Sequence, residues 1–547
     1  MTTYNKIIVL IACVATQAIY SQSLTQVQKL ESTARIWGFL KYYHPQVAAG
    51  KYNWDDELIK LLPKVKQAET KEELSTLYIN WIDGFGKIPV CRKCDKEVKD
   101  SFDKNFSMAW MENDIIFTPE LSRKLKYIEE NRLLGKKHYI RKKKGPGSLE
   151  TFNEPEYNDF EYPAENYRLL TLFRFWNMAE YFFPYKYQAD KKWDDVLVQS
   201  IVKVVEAKNA LEYQLALTET VAQTDDSHAF INSNAASYIY GKYKVPFNVK
   251  LVEGKIIVTD LICEKLCLEN DIQIGDIITH EDEKLLLDKF NANYKYYCAS
   301  NKSVKNRFIE YILRGNSINL KIKFERDGVI HEKYINRYTS KEIEDCRKQY
   351  GVASKILNGN IGYADLALVK VKAVESIMDS FSNTKAIIFD LRTYPNYSVF
   401  ALSQRLSYKN SEFAKIFKAN LDYPGKFSHK KTISTGSSNS KAYKGKVIVL
   451  VNENTQSRGE FTVMALQAAA NATVIGSQTA GADGEIFDFT LPGNFHARFT
   501  GNAIFYPDGR ETQRIGIVPD IEIHPTIKGI RAGRDELLEK AIEVANQ

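Results

Sequence analysis

Two stretches of this 547-residue chain repeat one another at an offset of 139 positions. Trp37-Gly-Phe-Leu-Lys-Tyr-Tyr43-His-Pro45 is followed, 17 residues after Trp37, by Trp54-Asp-Asp56. Trp176-Asn-Met-Ala-Glu-Tyr-Phe-Phe183-Pro184 is followed, again 17 residues after Trp176, by Trp193-Asp-Asp195. Each copy continues in an apolar pattern of helical period, Leu58 to Ile82 and Val196 to Val221. Such self-similarity implies two copies of one helical unit. The aromatic stripes are expected to be packing faces of helices, not a ligand box, and Pro45 and Pro184 should end their helices. The copies part company at their ends. The first runs through Asp83-Gly-Phe-Gly-Lys-Ile-Pro89 into Cys91-Arg-Lys-Cys94, and the second ends Asp225-Asp-Ser-His228-Ala-Phe-Ile231.

The length allows several domains and a large core. With 44% hydrophobic and 26% charged residues the composition is that of a globular protein, and a net charge of +7 is modest for this size. The basic run Lys136 to Lys144 has no nucleic-acid motif beside it and reads as a solvated loop. At the start, Lys6 precedes the apolar run Ile7 to Ile19, ending at Tyr20-Ser21-Gln22, which describes a secretory leader over residues 1–21 and an exported, periplasmic or secreted protein. The run is too short for a permanent membrane span. Six cysteines follow the leader: Cys91, Cys94, Cys263, Cys267, Cys298 and Cys346. An even count in an exported chain permits disulfides. With no second Cys-x-x-Cys and no histidine close by, Cys91 and Cys94 are expected to form a local disulfide and not a zinc half-site.

The expected organisation is a multidomain α/β chain. Residues 22–150 and 160–235 carry the helical copies, 240–345 a module of short strands, and 350–547 an α/β core. In the middle region Val252 to Val258 reads as a strand, and Ser317 to Phe324 alternates as a closing strand should. Gly275-Asp-Ile-Ile-Thr279 resembles the Gly-Asp-x-Ile element of PDZ domains, which bind extended peptide as an added strand. In the core, Ile361 to Leu368 and Ala386-Ile-Ile-Phe-Asp390 read as strands, Val371 to Phe381 as a helix, and Leu537 to Ala545 as a closing helix.

The strand Val447 to Asn452 leads through Glu453-Asn-Thr-Gln to Ser457-Arg-Gly-Glu460 and an apolar helical pattern reaching Ala470. A serine where a helix begins lies beside outward-pointing amides that favour negative charge. Ser-x-x-Glu before an apolar run is also a helix capping box, and that reading stands beside the catalytic one. Val474 to Gly481, Leu491-Pro-Gly493, Tyr506-Pro-Asp-Gly509 and Gly516-Ile-Val-Pro-Asp520 follow in order. Together, from about Gly362 to Asp520, these pieces resemble the serine peptidases of the C-terminal processing peptidase and tricorn core protease family. The resemblance implies a core of the Clp-like or crotonase-like spiral type, with Ser457 as nucleophile. In the processing branch a lysine about two dozen residues downstream is the base. Here Ala482 stands in its place, and no lysine follows Ser457 before Lys528.

Asp-Ser-His228-Ala resembles the segment that supplies the catalytic histidine in the tricorn branch, which makes His228 the expected base. A lone histidine is otherwise a surface or core residue, and His496 is a rival base whose strand setting suggests a structural role. The tricorn branch orients its histidine with a glutamate; the matching position is Gln513, with Glu511 the second candidate. The strand at Asp390 runs, in the family, into an Asn-Gly-Gly turn that lends an oxyanion amide. Here it runs into Thr393-Tyr-Pro-Asn-Tyr-Ser398, where Pro395 cannot donate. The oxyanion amides are then expected from Ser457 or Arg458 and from Tyr394 or Asn396, while Asp390 and Arg392 buttress the turn. The expected activity is hydrolysis of peptides or unfolded proteins through an acyl-enzyme, with no cofactor, metal or nucleic-acid partner. The alternative is a degenerate relative that binds peptides without cutting them.

Overall fold

The computed structural model describes residues 23–547 except 95–97, 99, 103, 146 and 347–350, so the expected leader lies outside the described residues. Three helices, Gln26–Tyr43, Trp54–Gln67 and Lys71–Asp83, return 139 positions later as Glu165–Phe182, Trp193–Glu206 and Ala210–Ala222. In each set the first helix stops two residues before a proline. The intervening His44 and Phe183 are extended, as a residue preceding proline prefers. Pro45 also opens a single short turn, Pro45–Ala48. The 17-residue tryptophan spacing has a local meaning. Trp37 Nε1 donates to Trp54 O at 3.0 Å, and Trp54 Nε1 donates back to Trp37 O at 3.0 Å. Trp176 and Trp193 do the same at 2.9 and 3.2 Å, and both indole pairs stack.

The two leading helices cross where Gly38 faces Asn177, its counterpart 139 positions on. A Cβ on Gly38 would fall 1.8 Å from Asn177 Oδ1, so only glycine lets the helices approach this closely. Asn177 Nδ2 then reaches Ala34 O at 3.0 Å. The sets also exchange ion pairs. Arg35 bonds Asp194 at 2.8 Å, and Arg174, which occupies the equivalent place in the second set, bonds Asp55 in the first. Buried Lys41 adds a contact to Glu154 at 2.6 Å.

Residues 247–336 form an antiparallel sheet whose main path runs Val329–Asn336, Asn319–Arg326, Ile277–Glu281, Lys255–Leu261, Phe247–Val252. The run Val252 to Val258 is not one strand. Glu253 and Gly254 both take positive φ, 50° and 76°, and fold it into a tight hairpin. Nor does Ser317 to Phe324 close the module, because Val329–Asn336 pairs outside it. A disulfide from Cys263 to Cys346 spans the module, and Cys91 bonds Cys94. Part of the basic run is also structured: Ile140–Lys142 is a strand, and Lys137 is buried with its Nζ on Leu133 O.

The core sheet is parallel through Ile361–Asp365, Ala386–Asp390, Lys446–Val451, Thr473–Gly476 and Ile521–Glu522, with Ser354–Leu357 antiparallel at one edge. Its side chains alternate. Ile388, Ile448, Leu450 and Ile475 pack on the C-terminal helix Glu536–Asn546. Phe389, Val447, Val449 and Val474 pack with Val463, Met464 and Leu466 of the helix Arg458–Ala470. Both faces are therefore covered, which is why these strands read as continuous apolar runs. A further sheet joins Ile140–Lys142, Leu149–Thr151, Ile486–Leu491, Phe495–Thr500 and the short strand Phe230–Ile231. Among the described residues no helix is long and apolar enough to cross a membrane.

Candidate active site

Ser457 sits between the end of the buried strand Lys446–Val451 and the helix Arg458–Ala470, with φ 55° and ψ −117°. A non-glycine residue held there costs on the order of 1–3 kcal/mol and persists only where its surroundings enforce it. They do so through Glu460, which is fully buried. Its carboxylate accepts the Ser457 amide at 3.1 Å, the Ala482 amide at 3.1 Å, the Gly481 amide at 2.7 Å and the Thr479 hydroxyl at 2.5 Å. The Ser457 amide also meets Ala482 O at 3.0 Å. Glu460 thus takes the reciprocal role of a capping-box glutamate while also fixing the loop that follows the strand Thr473–Gly476. Ala482, where the lysine was missed, is buried with its backbone tied into this turn. Burial raises the pKa of Glu460, and burial together with Glu460 raises that of Asp483 well above the usual carboxylate range.

His228 comes from the segment that follows the second helical set. Its position follows from strand register. Phe230 pairs with Arg498 and Ile231 with Ala497, so the antiparallel ladder continues to put residue 228 opposite residue 500. There His228 Nδ1 meets Thr500 Oγ1 at 2.8 Å. Thr500 Oγ1 in turn donates to Asp226 Oδ1 at 2.8 Å, and the Thr500 amide donates to Asp226 Oδ2 at 2.6 Å. Asp226 is fully buried and also accepts the His228 amide at 3.2 Å and Gln513 Nε2 at 3.1 Å. Burial pushes the His228 pKa below the ordinary histidine value, while Asp226 pulls it up, Arg498 pushes it down and Asp488 pulls it up.

The two halves meet through their neighbours. Gln456 Nε2 donates to Ser227 O at 3.0 Å, and Ser227 Oγ donates to Ala480 O at 3.1 Å. Arg307 of the antiparallel module bonds Gln456 Oε1 at 3.3 Å from both terminal nitrogens. Of the other sequence candidates, only Gln513 bonds into this junction. Gln513 reaches Asp226, not His228. Glu511 lies elsewhere, accepting Tyr187 Oη at 2.9 Å and Gln188 Nε2 at 2.7 Å. His496 is half exposed on its strand, with Nε2 3.4 Å from Asp488 Oδ1.

Of the oxyanion candidates, the Ser457 amide is already committed to Glu460 and Ala482 O, and the Asn396 amide donates to Leu366 O at 2.9 Å. Among the described residues the amides of Arg458 and Tyr394 have no protein acceptor. The Arg458 guanidinium lies 5.3 Å over the Tyr394 ring and 5.4 Å over that of Tyr397, joining the helix N-terminus to that turn. Asp390 and Arg392 form a buttress: Arg392 Nη2 contacts Asp390 Oδ2 at 2.6 Å, and Arg392 Nη1 contacts Asp535 Oδ1 at 2.7 Å. Beside the serine turn a groove of about 620 Å³ runs between the strand Phe247–Val252 and the core, lined by Lys250, Arg307, Glu453 and Ser477. Neither this groove nor a larger cavity of about 700 Å³ between the two helical sets is lined by Ser457 or His228. Among the described residues no cluster of three or more histidine, cysteine or acidic groups could hold a metal ion.

Sequence reasoning quoted Asp226 without giving it a role, offered Glu460 only as the capping-box partner of Ser457, and gave no sign of Thr500. Asp226 could have been found as the acid two residues before the histidine. Thr500 carries no signal until the strand pairing is known.

Residues 360–523 match the description of peptidase family S41. No curated protein matches the chain. Among solved structures it is similar to mature CPAF complexed with lactacystin (15% identity, 70% of this chain and 98% of that one, TM-score 0.55). A CPAF mutant gives 15% identity, the same coverage and a TM-score of 0.56. The photosystem II D1 C-terminal processing protease matches at 15% identity over 69% of this chain and 98% of that one, with a TM-score of 0.38. At these identities the CPAF likeness speaks to the fold alone.

Proposed function

We propose how a serine peptidase of family S41, to which this chain belongs through residues 360–523, carries out its hydrolysis. Ser457 Oγ attacks the peptide carbonyl carbon as its proton passes to His228 Nε2. The tetrahedral oxyanion is held by the amides of Arg458 and Tyr394. The C–N bond then breaks, Nε2 gives its proton to the leaving amine, and an ester remains on Ser457. Water, losing a proton to Nε2, hydrolyses that ester to a free carboxyl and restores the serine.

The observation that carries this reading is the meeting of two distant segments. Gln456 and Ser227, the residues just before the serine and the histidine, bond each other across 229 positions of sequence. The strained turn at Ser457 supports it, because strain enforced by a buried carboxylate marks a functional turn more than an ordinary helix cap. The antiparallel module is read as PDZ-like, delivering extended peptide or unfolded protein along the groove beside Arg307. Two disulfides support an exported setting.

A serine-reactive phosphonate tests the nucleophile. Mass spectrometry should find the adduct on Ser457, and labelling should fall at least tenfold in His228→Ala. No adduct on folded wild type would point instead to a peptide-binding relative.

A further inference from the structure

Among the described residues, no carboxylate or other charged group bonds His228 Nδ1; a threonine does. We infer that Thr500 and Asp226 act together as a positioning relay for His228, Thr500 carrying the orienting influence of the buried Asp226 carboxylate to Nδ1, and that Gln513 serves Asp226 and not the histidine. The inference rests on the Ser457–His228 reading and adds to it the residues that set the base.

Proton counting fixes the roles. A threonine hydroxyl has one proton. Thr500 gives it to Asp226 Oδ1 at 2.8 Å, a bond anchored by the Thr500 amide on Oδ2 at 2.6 Å. The contact of 2.8 Å between Oγ1 and His228 Nδ1 must then be made by an Nδ1–H donor. The neutral ring therefore keeps its lone pair on Nε2, the nitrogen left to take the serine proton. Asp226 accepts a fourth donor, Gln513 Nε2 at 3.1 Å. A carboxylate at 513, the residue type the family resemblance led one to expect, would face Asp226 at that separation and repel it. Glutamine at 513 and the threonine relay thus fit one another: the negative charge that orients the base has moved from position 513 to position 226.

Four variants test this, each measured as kcat and KM per phosphonate-titratable site, with circular dichroism as the folding control. In Asp226→Asn the side-chain NH2 can donate to Thr500 Oγ1 while its oxygen still accepts the Thr500 amide, which turns the threonine hydroxyl round to donate to Nδ1 and leaves the ring proton on Nε2. We expect kcat to fall ~100-fold or more with little change in KM, as for a base held in the wrong tautomer. The groups facing His228 are Asp226, Arg498 and Asp488, so losing Asp226 should also move the acid limb of kcat to lower pH. Thr500→Val should lose ~10- to 100-fold in kcat, and Thr500→Ser should recover most of that loss. Gln513→Glu should lower kcat at neutral pH. If His228→Ala is inactive but Asp226→Asn and Thr500→Val retain kcat and the pH profile, the relay is wrong and the Ser–His reading survives. A gain in kcat for Gln513→Glu would likewise overturn the relay, making 513 the orienting position. If His228→Ala retains full activity, the base assignment falls first and takes the relay with it.

Discussion

Ser457 shows how much a single residue's surroundings can decide. Its φ of 55° is held by one buried carboxylate with four donors, and Gly516 makes room for that arrangement. Gly516 itself has φ 68°, and a Cβ there would lie 2.4 Å from Thr479 Oγ1 and 3.0 Å from Glu460 Oε1. Gly516→Ala should cost ~2 kcal/mol or more in stability and reduce phosphonate labelling of Ser457. A fall in melting temperature with labelling unchanged would mean that the loop does not set the nucleophile. The strand, turn and helix around Ser457 were legible because Ser-x-x-Glu between two apolar runs makes a local pattern. The capping-box reading was also legible, and the two do not compete: the glutamate's bond to the Ser457 amide helps to impose the strained turn. Positions 511 and 513 were not separable in sequence, since alternate residues on a strand share a face. Only the fold shows 513 turned to Asp226 and 511 to Tyr187 and Gln188.

At the scale of elements, the helical sets grip each other by reciprocal ion pairs that differ sharply in burial. Arg174 and Asp55 are almost wholly buried, whereas Asp194, the partner of Arg35, has a side chain 60% exposed. Removing one partner of a buried pair strands the other charge. Arg174→Ala should therefore destabilise by about 3–5 kcal/mol, and Arg35→Ala by less, because the Asp194 it leaves behind is solvated. Equal losses in denaturant melts would refute this ranking. The Cys263–Cys346 bridge closes 83 residues, so replacing both cysteines with serine should cost about 4 kcal/mol, against much less for the three-residue Cys91–Cys94 loop. The pairing of Cys263 with Cys346 and not with Cys267 could not be read from spacing, because it depends on how the module's strands return. At the hairpin, Val252 and the run Ile256-Ile-Val258 read as one strand across the two-residue turn Glu253-Gly254.

Across the whole molecule, catalysis is expected to be a property of assembly: the proposed base comes from the end of the second helical set, the threonine proposed to orient it from a distant strand, and the proposed nucleophile from the turn after a strand of the parallel core. Two buried histidines tie that assembly to pH. His44 has its pKa lowered to about 4 by burial, and His228 is lowered by the same cause. An unfolded histidine titrates near ~6.5, so the unfolded chain takes up the protons first as pH falls. Stability present above ~6.5 is lost as pH falls through the His44 value, by up to about 3 kcal/mol for His44. His44→Asn keeps an N-cap acceptor and should flatten the melting curve between pH 6.5 and 4; an unchanged slope would contradict the His44 term. The most direct measurement is cleavage of an unfolded protein by wild type, Ser457→Ala and His228→Ala, with the fragments identified by mass spectrometry and folding checked by circular dichroism. We expect wild type to cut and both folded variants to lose at least ~10³-fold in rate. Cleavage that survives in either folded variant would contradict the Ser457–His228 site.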